Sequence, residues 1–190
     1  MNELMLKEKI EPRLTPKRLG HTLGVVEVAK KLAVRYHEPI EQVIEAAFLH
    51  DCARNLSNGE LLKLAEKSDI KIDRVSKSDP SLLHGPVGAV IAQRDYGVCD
   101  ESVLNAIRYH TTGRKKMTQL DKIIYLADCI EPGRNYKGVI ELRDLAVFDL
   151  DMAVLEALTN TLKFLLDKGQ LIQKQTVTAR NDLILQIKKG

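Results

Sequence analysis

Residues 16–36 read PKRLGHTLGVVEVAKKLAVRY. Leu19, Leu23, Val26, Ala29, Ala33 and Tyr36 recur at steps of three and four, the period of one face of an α-helix. Pro16 behind Thr15 suits the first helical position, where a missing N–H costs nothing. The stretch also carries an oddity. His21 stands in line with Val25, Val28 and Leu32, so an ionisable ring occupies an otherwise apolar stripe.

The helical period continues on either side. Pro39 starts a helix through Val43, Ile44, Ala47 and Phe48 towards Asp51. Ser57 with Glu60 makes a capping box ahead of Leu61–Leu64. Pro86 starts a helix reaching Tyr96, and Asp100 caps one bearing Val103, Ala106 and Ile107. Thr118 with Asp121 is a capping-box variant before Ile123–Ile130. Asp151 precedes a long amphipathic helix that Gly169 closes, and a last helix runs from Thr178 to Lys188. Only Gln173–Thr178 offers a candidate strand. The expectation is an all-α protein of about eight to ten helices.

Composition narrows the class without naming a task. The 190 residues are 44% hydrophobic and 29% charged, which fits one globular domain and excludes disordered, collagen-like and coiled-coil chains. Twenty-nine basic against 26 acidic residues leave +3, too little to argue for nucleic acid. Tryptophan is absent and aromatics make up 4%, so stacking platforms for single strands are not expected either. Cys52, Cys99 and Cys129 lack CxxC spacing and read as free thiols of a reducing compartment. No apolar leader and no membrane-length apolar run occur, so the expected location is cytoplasmic, with no membrane partner.

Other polar groups share apolar stripes as His21 does. His50 lines up with Val43 and Ala47, Asp51 with Ile44 and Phe48, and His110 with Ala106 and Ile107. Asp128 follows Ile124 and Tyr125, while His84 precedes Gly85-Pro86 at a helix entrance. Singly, a histidine at a helix C-terminus is favoured by the dipole. Together the set demands more, because a buried carboxylate without a positive partner costs several kcal/mol. Four imidazoles and two carboxylates form a mixed N/O ligand set that suits iron, manganese, zinc or cobalt; calcium would want oxygen alone. Six ligands exceed one open catalytic site but suffice for two metals if Asp51 bridges. The fifth histidine, His37, reads as structural or solvent-facing.

The order His21, His50-Asp51, His84, His110, Asp128 resembles the HD-domain phosphohydrolases, named for the His50-Asp51 pair. HTLGVVEVA (21–29), AAFLHDCAR (46–54), LLHGPVGA (82–89), IRYHTTGR (107–114) and DKIIYLADCIEPGR (121–134) look like the YqeK family of symmetrical bis(5′-nucleosyl)-tetraphosphatases within that superfamily. The resemblance implies a single HD domain over 1–190, with motifs between 18 and 134 and helices 150–188 packed on it. It implies metal ligands His21, His50, Asp51, His84, His110 and Asp128 around two divalent or trivalent ions. Iron is the first choice, with manganese, cobalt and zinc as alternatives. The implied substrate is a small nucleotide, diadenosine tetraphosphate, cut to two ADP by a metal-bridging hydroxide.

Asp51 and Arg54 are the expected catalytic pair, since Arg54 follows Asp51 by three residues. Arg18, Arg54 and Arg134 are placed to hold phosphates, and Thr112-Gly113 to offer a hydroxyl and a close backbone approach. Cys52 and Cys129 are expected to pack as small apolar groups. A homodimer stays open. So do another nucleotide as substrate (a nucleoside triphosphate, a guanosine alarmone, a monophosphate) and a non-catalytic nucleotide sensor. Cys52-Ala53-Arg54 argues against the alarmone branch, whose members carry acidic residues shortly after the pair.

Overall fold

The computed structural model describes residues 2–189, and among these there is no strand. Eleven α-helices follow one another: α1 (Glu3–Ile10), α2 (Pro16–Arg35), α3 (Ile40–Leu49), α4 (Asn58–Lys67), α5 (Arg74–Ser78), α6 (His84–Tyr96), α7 (Glu101–Tyr109), α8 (Gln119–Ile130), α9 (Val139–Phe148), α10 (Leu150–Asp167) and α11 (Lys174–Ile187). Two short 3-10 turns, Glu11–Arg13 and Pro80–Leu83, complete them.

Local chemistry explains most boundaries. Thr15, Ser57, Asp100 and Thr118 each accept a backbone N–H of the helix they open, and Ser57–Glu60 and Thr118–Asp121 form reciprocal capping boxes. Gly97 and Gly169 adopt left-handed φ of 72° and 61° just beyond α6 and α10.

The differences from expectation have local causes too. α6 starts at His84, so Pro86 sits in the first turn, where no N–H is needed. Asp149, not Asp151, caps α10. The strand candidate Gln173–Thr178 is instead the N-cap and first turns of α11, which starts at Lys174 rather than Thr178; Thr176 is buried there and Gln173 donates to the Ser76 hydroxyl. α1, α5 and α9 are additional: α5 has five residues and α9 opens on Gly138 without a side-chain cap.

At the centre, α2 packs on α3 and α8, while α7 packs on α3, α6 and α8. Val25, Ala29, Phe48, Leu49, Ile107, Ile123 and Ile124 fill the space between them. α1 covers α3, and α10 joins α8 to α9 and α11. This arrangement brings the C-terminal ends of α3 and α7, the start of α6 and one face each of α2 and α8 to a single point.

Candidate metal centre

Each histidine reaches that point with its orientation set. His50 and His110 are the residues directly after α3 and α7, and their Nδ1–H groups donate back to Ala47 O (2.6 Å) and Ile107 O (2.7 Å). His84 Nδ1 donates to Ser81 O at 2.5 Å, and His21 Nδ1 to Glu131 Oε1 at 3.2 Å. With Nδ1 donating in all four rings, Nε2 is the lone-pair nitrogen. These nitrogens face each other in pairs: His21 and His50 at 3.3 Å, His84 and His110 at 3.0 Å. Facing lone pairs at such distances repel unless a proton or a metal ion sits between them, and paired imidazole nitrogens beside carboxylates are a donor set that fits metal ions.

Asp51 spans the two pairs. Its Oδ2 lies 3.8 Å from Nε2 of both His21 and His50, and its Oδ1 3.3 Å from His84 Nε2 and 3.7 Å from His110 Nε2. Two clusters with metal-binding geometry therefore share Asp51: one with His21 and His50, one with His84 and His110. Asp128, on α8, places Oδ1 3.1 Å from His21 Nε2. All six expected ligands are brought together.

Glycines permit the convergence. A Cβ on Gly85 would lie 2.7 Å from Arg108 O, so only glycine lets the start of α6 cross the end of α7 closely enough to pair His84 with His110. A Cβ on Gly24 would lie 2.8 Å from Glu131 Oε2.

The electrostatics favour ionised acids among imidazoles. Burial alone would raise the Asp51 carboxyl, but His50, His110 and His84 hold it well below the usual carboxylate range. Burial likewise opposes ionisation of Asp128, and His21, His50 and Arg134 overcome it. Burial and the neighbouring His110 push His84 down to about 3, and burial lowers His50. Burial also works against His21 and His110, yet Asp128 raises the first and Asp51 the second.

The acids also have guanidinium partners, supplied by other elements than their own stripes. Arg18 Nη1 lies 3.0 Å from Asp51 Oδ2, and Arg134 donates to Asp128 through Nη2 and to its backbone oxygen through Nε at 2.8 Å. Both arginines line a cleft of about 840 Å³ beside His21, with Gly24, Glu131 and Tyr136. Arg54 is partly exposed, donates its backbone N–H to Asp51 O and lowers the His84 pKa through its charge.

Thr112 of the Thr112-Gly113 pair lines two cavities beside Thr111. Thr112 Oγ1 donates to Gly113 O, and Gly113 is buried at φ 65° with its close approach made to Ala179 of α11 rather than to open space. The hydroxyl at the centre belongs to Thr111, whose Oγ1 is 3.2 Å from His110 Nε2 and 3.3 Å from His84 Nε2. Sequence reasoning missed Thr111, and nothing in its spacing distinguishes it from Thr112. It also missed Glu131, which accepts from His21 and from Gly133 N (2.6 Å). Its position three residues after Asp128 was a usable signal. Arg143 was missed as well: it donates to the carbonyls of Ile130, Glu131 and Arg134, fixing the turn that carries Arg134. His37 is exposed, and burial pushes the Cys52 and Cys129 thiols up to about 12, as inert packing groups require.

Comparison with known proteins agrees with this geometry. An HD-domain family model matches residues 18–133. A symmetrical bis(5′-nucleosyl)-tetraphosphatase of Halalkalibacterium halodurans is 40% identical over 99% of this chain and 100% of its own length. A protein of the same name from Bacillus subtilis is 39% identical over 92% of this chain and 94% of its own. A crystal structure from Clostridium acetobutylicum, described as a predicted HD superfamily hydrolase involved in NAD metabolism, superposes with a TM-score of 0.94 at 40% identity, covering 98% of each chain. Paired imidazoles, a shared aspartate after the α3 histidine, and whole-length relatives converge on one assignment: the chain belongs to the HD-domain family.

Proposed function

We propose that this chain is a metal-dependent hydrolase that cuts diadenosine tetraphosphate symmetrically into two ADP. The observation that carries the proposal is the pair of facing imidazole nitrogens on each side of Asp51, a donor set built for two ions, in a chain whose full-length relatives bear that activity in their names. His21, His50, Asp51, His84, His110 and Asp128 are the proposed ligands. Their mixed nitrogen and oxygen donors suit iron, manganese, cobalt or zinc, and the family resemblance makes iron the first choice. When bound, the metals supply Lewis acidity, lowering the pKa of water and drawing charge from phosphate oxygens.

The chain's own residues do the rest. Asp51 stays ionised and ties the two halves of the centre together. Glu131 holds His21 in the tautomer that presents Nε2. Arg18 and Arg134, each now on an acid at the cleft wall, are placed to exchange that partner for a phosphate oxygen, and Arg54 adds charge from the turn after Asp51. The leaving ADP, with a second phosphate pKa of about 6, departs with little protonation, so no separate acid is required. We read residues 1–190 as one domain working in the cytoplasm; no described helix is long and apolar enough to cross a membrane.

Protein of known metal content, incubated with diadenosine tetraphosphate, is expected to release ADP as the sole early product. AMP with ATP would mean that attack falls on another phosphorus, and no product would reject the substrate.

A further inference from the structure

The cleft lined by Arg18, His21 and Arg134 meets only one half of the centre. The other half has a recess of its own. Thr111, whose hydroxyl touches the His84 and His110 nitrogens, also lines a cavity of about 390 Å³ and an adjoining one of about 760 Å³. These two share Leu82, Thr111, Thr112 and Gln173, so they form one groove, and its wall at Thr111 is the link to the buried histidine pair. No residue is common to this groove and the Arg18 cleft.

The smaller cavity has a distinct chemistry. Leu82, Leu165 and Leu171 offer apolar faces, while Thr161, Gln170 and Gln173 offer hydrogen-bonding groups. Asp79 lines it and no lysine or arginine does, which disfavours phosphate and suits an uncharged ligand end. Its volume lies in the range of small-ligand pockets. Cations appear only in the adjoining cavity, as Lys71, Arg108 and Lys174.

Resting on the function proposed above, we propose that this recess seats the second nucleoside of the dinucleoside tetraphosphate. A substrate with two like ends, cut at its middle, requires a nucleoside seat on each side of the reacting phosphates. One seat is the Arg18 cleft beside His21, and the Thr111 groove beside His84 and His110 is the other. Leu165, Gln170, Leu171 and Gln173 come from α10 and the turn into α11, beyond the stretch matched by the HD-domain family model. The C-terminal helices thus select a substrate with two nucleosides, a task separate from holding metal.

The test compares diadenosine tetraphosphate with adenosine 5′-tetraphosphate, which has the same four phosphates and one nucleoside. Water attack at its centre yields ADP and pyrophosphate. Leu165→Trp fills the recess from α10, and Gln170→Trp does so from an exposed position that α10 packing does not depend on. Both variants are expected to raise the KM for diadenosine tetraphosphate about tenfold relative to that for adenosine tetraphosphate, which can seat its one nucleoside in the other cleft. Metal content and kcat for the dinucleotide should stay within about threefold of wild type. Equal changes in both KM values, no change in either, or a wild-type KM no lower for the dinucleotide would each overturn the second seat. Absence of ADP from the wild-type control would instead reject the hydrolase reading, and the seat with it.

Discussion

The two halves of the centre are built by different means. His84 and His110 are buried, take their orientation from backbone carbonyls, and are held together by the close crossing that Gly85 allows. In the other half only His50 is buried and held by a carbonyl in this way; His21 is oriented by a carboxylate, Glu131, and stands beside arginines at a cleft wall. A carbonyl within a helical turn cannot change partner, whereas a guanidinium on a carboxylate can. On the function proposed above, the first half is expected to hold metal rigidly and the second to exchange substrate phosphate, with Asp51 as the side chain common to both clusters.

Removing the shared ligand should abolish the comparison altogether. Asp51→Asn is expected to lower kcat/KM by at least about 10³-fold and to cut metal content, measured by elemental analysis, on both sides. Retention of two ions per chain by this variant would show that Asp51 is no bridge. Gly85→Ala attacks the rigid half alone: its Cβ meets a backbone carbonyl at 2.7 Å, so α6 must shift. Since a misplacement of about 1 Å can cost about 100-fold, turnover is expected to fall by up to that factor. Its melting curve should stay cooperative while one ion per chain is lost.

Glu131→Ala works on the other half. Losing the partner of His21 is expected to weaken one metal site about tenfold and leave the other unchanged, read by competition with a chelator. Equal weakening of both sites would erase the distinction between the halves. Arg134→Ala should raise KM about tenfold with kcat nearly constant, as loss of one charged hydrogen bond to phosphate predicts.

Acid is the mildest probe and should not separate the halves. Each pair holds one imidazole raised by a carboxylate, His21 or His110, and one lowered by burial, His50 or His84. Raised groups hold protons above the ordinary histidine value of about 6.5, and protons compete with metal. Occupancy should therefore fall at both sites together as pH drops through that value, followed by metal-dependent absorbance or elemental analysis after gel filtration.

The residues that were legible in advance share one property. His21, His50, Asp51, His110 and Asp128 each break an apolar helical stripe, and a stripe is periodic, so the exception is visible in one dimension. Caps were visible for the same reason: Ser57–Glu60 and Thr118–Asp121 act within four residues. Thr111 was not, because choosing it over Thr112 depends on how the chain turns after α7. The close contact of Gly113 was not legible either, because its neighbour, Ala179, lies 66 residues away.

By itself, then, the sequence determined eight of the helices, the six polar groups on or beside their apolar faces and the family whose motifs they form. These are set by local hydrogen bonding and by the desolvation cost that makes buried charges seek partners. Only the tertiary structure decided that the histidines pair as His21 with His50 and His84 with His110, that Glu131 and Thr111 belong to the centre, and that a second recess opens beside the rigid half. Those outcomes depend on how closely helices distant in sequence can approach, and that distance is fixed by packing at residues such as Gly24 and Gly85, not by any local pattern.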